Sequence, residues 1–419
     1  MSITSSFYTG LSGLDAHGTA IGVIGDNIAN VHSAGFKTST THFEDVLGLS
    51  LTGVSGSNQT GAGTKVASVD GNFIQGSLAT TQVGTDVAIN GKGFFIVGDP
   101  ITNESYYTRA GHFTVDNQGY YINGEGYRVQ GYLYDTTGQT LIEILSDIQL
   151  NTHSMVPPQI TAEIDTVLNL DATITDFLVF DVNNLSRTTH YSTPITIYDS
   201  LGQSHQLQLY FTKTAAQTWA LNVVVDGSDT SDGLPHLYGA AVALGFDTSG
   251  ALTTAMPQTL TPAGFNFANG IAPSAIDVDL TNTSQYGSAS AIQSIFQDGF
   301  AAGTLSDISI DERGNIIGNY TNGTVRNIAR LALGDFTNLN GLGRKGGTLY
   351  QATTHSGPPL YNKPGEGGMG SISSSMLEES NVDLAAEFIK MIIVQRGYQA
   401  NTKVITTTDD MLAQLLNVR

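Results

Sequence analysis

Two apolar stripes near opposite ends of the 419-residue chain constrain its fold more than any other feature. Phe7, Leu14, Ile21 and Ile28 recur every seven residues, with Leu11, Ile24 and Val31 alongside, which draws one narrow apolar line along a helix. Leu384, Met391, Tyr398, Ile405 and Leu412 repeat the device, with Phe388 and Leu416 on adjoining positions. Ser380-Asn381-Val382-Asp383 reads as a capping box opening this second helix, with Asp in the usual Glu or Gln position. One such stripe fits an ordinary helix lying on a globular core. Two at opposite ends pair only if the whole middle loops back.

The first helix is also weak by itself. Gly10, Gly13, Gly18, Gly22 and Gly25 cost it about 5 kcal/mol relative to alanine. It should stay largely unformed until something packs on it. Gly18, Gly22, Gly25 and Ala29 follow a 4-3-4 spacing, a smooth face for the close approach of another helix.

Strand signals fill the middle. Asp-x-x-Gly recurs at Asp116–Gly119, Asp135–Gly138, Asp199–Gly202, Asp247–Gly250 and Asp311–Gly314, a pattern that suits a type I turn closing a hairpin through a bulge. His205, Leu207, Leu209 and Phe211 alternate with Gln206, Gln208 and Tyr210, and Ile308 and Ile310 lead into Asp311. Residues 50–64 and 356–371, rich in Gly and Ser, read as flexible connectors, and Pro157-Pro158 as a boundary. At about 150 residues per domain the length suggests roughly three domains. The expected fold is α+β and multidomain: N- and C-terminal helices paired as a coiled coil, with two mostly antiparallel β domains inserted between them. The expected boundaries are 1–70 (helix and connector), 71–150 (first part of a middle β domain), 151–300 (inserted outer β domain), 301–371 (rest of the middle domain) and 372–419 (C-terminal helix).

Composition narrows the function. Lys and Arg total 17 against 37 Asp and Glu, a net charge of −20, so nucleic acid and anionic membrane surfaces are poor partners. No apolar run is long enough to span a bilayer. The first basic residue is Lys37, which leaves no basic region for a secretory signal. With zero cysteines there is no thiolate chemistry, and the nine scattered histidines form no His-x-x-x-His pair, so no metal or cofactor is expected. Gly91-Lys92-Gly93 lacks the rest of a phosphate loop, and Gly124-Glu125-Gly126 is a turn. Asp226, Asp229 and Asp232 read as a solvated loop rather than a calcium site. Trp219 reads as core. No catalytic constellation stands out.

Several blocks carry a resemblance. Asn27-Ile28-Ala29-Asn30-Val31 with Gly35-Phe36-Lys37 resembles the N-terminal signature of the bacterial flagellar rod, hook and hook-associated axial proteins. Val87 through Val97, containing Asn90, Gly91, Gly93 and Phe94, is similar to that family's next block, and Tyr107-Thr108-Arg109-Ala110-Gly111 to Gly131-Tyr132 to the one after. Leu377 through Ala385, with Asn381, and Gln395-Arg396-Gly397-Tyr398-Gln399-Ala400-Asn401 resemble the C-terminal signature. Asp26, Phe36 and Gly397 depart from the family's common Asn, Tyr and Ala. The long insertion, with Tyr198 to His205 running on to Lys213 and Trp219, is similar to the outer domain of hook subunits; residues 226–300 match nothing recognisable.

The resemblance implies a structural role without catalysis: a subunit that assembles with itself into a curved, flexible tube carrying torque from motor to filament. It implies rod and hook–filament junction proteins, a hook cap and the flagellar export apparatus as partners, and a place in the flagellum reached without a cleaved signal. A distal-rod or junction protein of the same family is the alternative, and an extracellular β-scaffold enzyme or adhesin a remote one. The expected assembly interface comprises Phe7, Leu11, Leu14, Gly18, Ile21, Gly22, Ile24, Gly25 and Ile28 on the first helix. On the second it comprises Leu384, Phe388, Met391, Tyr398, Ile405, Leu412 and Leu416.

Overall fold

The computed structural model describes residues 3–53, 56–135, 137–150 and 155–417, with side chains from 5 to 47 and from 61 to 414 within those spans. The described residues are mostly β with three α-helices: α1 (Ile3–Ala29), the single turn α2 (Leu185–Thr188) and α3 (Leu384–Asn417). Contacts divide the chain into two units. One holds Met1–Thr152, Asp307–Asn319 and Val325–Arg419; the other holds His153–Ser306 and Tyr320–Thr324.

In the first unit α1 leads into β1 (Ser39–Gly53) and β2 (Gly56–Gly71), an antiparallel ribbon paired from Ser39↔Gly71 out to Gly53↔Gly56. The flexible connector expected at 50–64 is therefore replaced by the far end of this ribbon. Strand pairing uses backbone groups, so a segment without large apolar side chains can still form it. The ribbon lies along α1: Thr64 N donates to Ser12 Oγ at 3.2 Å, and a side chain at Gly63 (φ +110°) would collide with Ser12. The second expected connector, 356–371, is also folded. Leu360–Asn362 pairs with Leu333–Asp335, and Gly365 N donates to Gly370 O at 3.0 Å.

The body of this unit is a large sheet around Phe94–Gly98, a strand buried along its whole length. Alternate side chains feed two cores, as the pleat requires. Phe95 and Val97 join Val87, Phe113, Tyr121 and Leu331, whereas Phe94 and Ile96 join Tyr107, Phe336 and Tyr350.

In the second unit two five-stranded sheets share one core. Tyr191–Tyr198, Ser204–Ala215 and Thr218–Val225 form consecutive antiparallel pairs, and Leu207, Leu209, Phe211, Trp219 and Leu221 point inward at 0% exposure. The other sheet is centred on Glu163–Asp171, which pairs parallel with Ile276–Asp279 and Ser284–Tyr286 and antiparallel with Ala291–Gln297. It contributes Ile164, Leu168, Val278 and Leu280. The segment that resembled nothing thus supplies strands to both sheets.

All five Asp-x-x-Gly sequences close turns in the same way. Each Gly N donates to the Asp carbonyl at 3.0–3.1 Å, and each Gly has φ between +74° and +83°, the region an L side chain avoids. At Asp116, Asp199, Asp247 and Asp311 the carboxylate accepts from the backbone two and four residues on, as at Asp199 from Leu201 and Gln203, both at 2.9 Å, whereas Asp135 accepts from the Thr137 hydroxyl and from Gln139 N and Thr140 N. The acidic loop is likewise used locally. Asp226 caps the 3-10 turn Gly227–Asp229, Asp229 faces His205 at 2.9 Å, and Asp232 faces His236 at 2.8 Å.

Candidate functional site

α1 and α3 pack antiparallel. A Cβ at Gly10 would lie 3.0 Å from Ile405, and one at Gly13 2.6 Å from the Asn401 amide. Toward the other end a Cβ at Gly397 would lie 2.7 Å from the His17 ring, and Asn27 Nδ2 donates to Glu387 Oε2 at 3.1 Å. The buried line of α1 is Gly10, Gly13, Ala16, Ala20, Ile24 and Asn27. The helices therefore meet where side chains are smallest, because missing side chains let two backbones approach closely. Gly397 leaves the room that the imidazole of His17 takes up.

This seam differs from the heptad stripes. Of the expected interface residues only Ile24 is buried; Leu14, Ile21, Gly25, Ile28, Met391, Ile405 and Leu412 are half-buried. Phe7, Leu11, Gly18, Gly22, Leu384, Phe388 and Tyr398 are exposed, and the side chain of Leu416 lies outside the described residues. A Cβ on Gly18, Gly22 or Gly25 would meet no atom within 4 Å, so the smooth 4-3-4 face is open. Periodicity missed Ile389, Ile392 and Ile393, which are 55–64% exposed on α3. They fall between the seven-residue positions, although the apolar pair Phe388-Ile389 and the run Met391–Val394 beyond Lys390 were visible in the sequence.

The base of the helix pair is tied to the β-body by a buried charge cluster. Glu378 is 0% exposed: Oε1 accepts from Lys37 Nζ at 2.5 Å and Gly76 N at 2.9 Å, and Oε2 from Arg109 Nη1 at 3.2 Å. Its carbonyl accepts from Gly35 N at 2.7 Å. Gly35 (φ +69°) lies so close to Ala110 that a side chain there would collide with its backbone. Arg109 Nη2 donates to the Gly91 carbonyl at 2.8 Å, and the guanidinium lies 5.3 Å from the Phe94 ring centre. Burial pushes the Lys37 ammonium below its ordinary value, with Glu378 opposing and Arg109 reinforcing the shift. Burial lowers Arg109 as well, again against Glu378. Removing the carboxylate would leave two buried cations unpaired.

Asparagines finish the joint. Asn381 accepts from Thr38 N at 2.8 Å and donates to Asn72 O at 2.8 Å and Ile74 O at 3.1 Å. Asn27 donates to Ser39 O at 2.8 Å and accepts from Ser39 N at 2.9 Å, fastening α1 to β1. With Asn381 so engaged, α3 is capped by Asp383, which accepts from Ala385 N at 2.9 Å and Ala386 N at 3.2 Å. The expected capping box at Ser380 does not form, and Ser380 Oγ is buried without a partner.

Other motif residues are dispersed. Asn30 closes α1 by donating to Asp26 O at 2.9 Å, and Gly93 packs on Leu333. A side chain at Gly111 would collide with the Val87 carbonyl, and Asn90 ends a strand paired with Ser371. Gln395 and Arg396 stand exposed on α3, whereas Asn401 is on the seam. Sequence reasoning quoted Lys37 and Glu378 inside motifs but gave them no role. For Lys37 the available signal was a lone charge in an otherwise uncharged stretch; Glu378, beside Glu379, gave none.

Comparison with known proteins gives these pieces a common setting. Family models match in chain order: the flagellar hook protein FlgE/F/G D1 domain over 88–169, the flagellar basal body protein FlaE D2 domain over 169–300, and the flagellar basal body rod FlgEFG protein C-terminal over 373–418. The chain is 32% identical to the flagellar hook protein FlgE of Borreliella burgdorferi and 33% identical to that of Treponema pallidum, each over 99% of both chains. It is 30% identical to the FlgE of Escherichia coli over 99% of this chain and 100% of that one. A crystal structure of Helicobacter pylori flagellar hook protein FlgE2 shares the fold, with TM-score 0.54 at 18% identity over 72% of this chain and 100% of the other. With identity of this order along its whole length, the chain belongs to the flagellar hook protein family and is a structural subunit of the bacterial hook.

Proposed function

We propose that the chain polymerises with itself into a curved, flexible tube, with α1 and α3 forming a coiled-coil inner layer. The observation that carries this reading is the apolar surface left on the helices of the single chain. Phe7, Leu11, Phe388, Ile389, Ile392 and Ile393 are 36–64% exposed on helices whose small-residue seam is already filled. Exposed apolar surface of this extent on one pair of elements marks an interaction site. A head-to-tail contact that does not close into a ring generates a helical polymer.

In this reading residues 1–70 and 372–419 are the inner domain, 71–150 and 301–371 the middle β domain, and 151–300 the outer one. The heptad stripes and the open Gly18–Gly22–Gly25 face meet neighbouring copies. The tube transmits torque and contacts rod and junction proteins, the hook cap and the export apparatus, which delivers the chain without a cleaved signal. The subunit has no catalytic role.

Phe388→Asp and Ile21→Asp test the mechanism. Both variants are expected to keep the wild-type melting of the β units, and to form no tubes at concentrations where negative-stain electron microscopy shows wild-type tubes. Normal tubes from either variant would remove the helices from the assembly mechanism.

A further inference from the structure

The block from Tyr198 to His205 contains a buried ion cluster that takes no part in the helix interface. The His205 side chain is 0% exposed, and both of its ring nitrogens face carboxylates: Nδ1 lies 2.9 Å from Asp229 Oδ1 and Nε2 3.2 Å from Asp199 Oδ2. The ring lies flat on Phe267, with centres 3.7 Å apart and planes 14° from parallel. A neutral imidazole has one donor and one acceptor, and an ionised carboxylate only accepts. Asp199 is committed as an acceptor, since Leu201 N and Gln203 N donate to Oδ1 and Asn269 Nδ2 to Oδ2. Asp229 Oδ2 likewise accepts from Gln206 N at 3.2 Å. A neutral ring would turn its lone pair on one of these oxygens, whereas an imidazolium donates to both. The other neighbours bring no charge to the ring: the flanking strand sets Ile197 opposite His205, and the Phe267 segment adds Asn269. The remaining titratable side chains of the acidic loop are engaged elsewhere, Asp226 with Ser228 and Asp232 with His236, which lies on Phe265.

We propose that His205 is a pH-sensitive clamp: as an imidazolium it ties the 3-10 turn Gly227–Asp229 to the Asp199 turn, and loss of one ring proton sets a lone pair against a carboxylate and loosens the tie. Imidazole protonation is the side-chain equilibrium that falls nearest neutral pH. The Asp229 side gives way first. Asp199 keeps three further donors and is 1% exposed, whereas Asp229 keeps one across the contact and is 22% exposed, so water can take the place of the ring. The opening stays local, because Ser231 N to Asn266 O at 2.9 Å and Ala268 N to Asp229 O at 3.0 Å still hold the loop to the Phe267 segment. The clamp belongs to the second unit alone and does not depend on the polymer reading.

The test uses the full chain at pH 5.5 and pH 8.5. With 15N-labelled histidine rings, the His205 resonance, assigned by its absence from His205→Gln, is expected to show both ring nitrogens protonated at the lower pH and one at the higher. Hydrogen exchange, corrected for the intrinsic effect of pH, is expected to show protection of the Gln206 and Asp229 amides falling about fivefold across the same step, the equivalent of about 1 kcal/mol. Asp229→Asn, whose amide can donate to a neutral ring, is expected to abolish that step. His236→Gln, which alters only the neighbouring pair, is expected to keep it. A His205 ring with a single proton at pH 5.5, or equal wild-type protection at both pH values, overturns the clamp. So does a step that survives Asp229→Asn or vanishes in His236→Gln.

Discussion

In the second unit Trp219, Phe211, Leu207, Leu209 and Leu221 are all at 0% exposure, and one continuous core joins both sheets. α3, at 34 residues the longest element, leaves Phe388, Ile389, Ile392 and Ile393 more than half exposed and buries Glu387 and Thr408 instead. The β units thus close continuous cores within one chain, although side chains such as Ile101, Val179 and Leu201 stay exposed on them, whereas the two helices form no such core of their own. The helices are held by a seam of glycines and by polar fasteners at their base: Asn27, Asn381 and the Lys37–Glu378–Arg109 cluster. A region built this way is folded but unfinished, and such a region is available for assembly.

That contrast can be broken by substitution. The largest effect is expected from Trp219→Ala, which should cost the second unit about 4 kcal/mol by opening a cavity. Hydrogen exchange should show the loss in strands 191–225 and leave α1 and α3 unchanged; equal loss in the helices would erase the distinction. Glu378→Gln should cost about 3 kcal/mol, because it strands two buried cations. Here protection should fall at residues 35–38, 72–76 and 378–381, where helices and body are joined, and not in the second unit.

Acid should separate the regions in the other direction. Burial alone would push the Asp199 carboxyl up, but donors from Asn269, Gln203, His205 and Leu201 outweigh it and hold the group below its ordinary 3.8. A depressed folded value means stability present above 3.8 that is lost as pH falls through the lower folded value. The melting of the second unit should therefore drop below about pH 4, and Asp199→Asn should flatten that dependence. A profile unchanged by this substitution would remove Asp199 from the account.

The smallest effects sharpen the comparison within α1. Gly22→Ala meets nothing in the single chain and should stabilise the isolated helix by about 1 kcal/mol, read by circular dichroism. Gly13→Ala brings the same propensity gain but presses on the Asn401 side chain, so its net change should lie nearer zero. If Gly22→Ala also hinders tube growth, the open glycine face is in contact with a neighbour.

Much of this was legible beforehand, and the reason differs by element. The hairpin turns follow from local chemistry: Asp accepts from the next backbone N–H groups and Gly takes a positive φ, whatever surrounds them. The alternation from His205 to Phe211 names its inward face for the same reason. The ribbon at 39–71 was hidden because its pairing is made by backbone, which leaves little trace in side-chain pattern.

The amino-acid order alone determined that both ends form helices, that glycines weaken the first, and that a β-rich middle lies between. Only the tertiary structure decided which helix face is spent inside the chain, because that depends on where two backbones can approach. It alone brought Lys37, Arg109 and Glu378 together across 341 positions of sequence, since no local pattern records which distant charge a buried charge will meet.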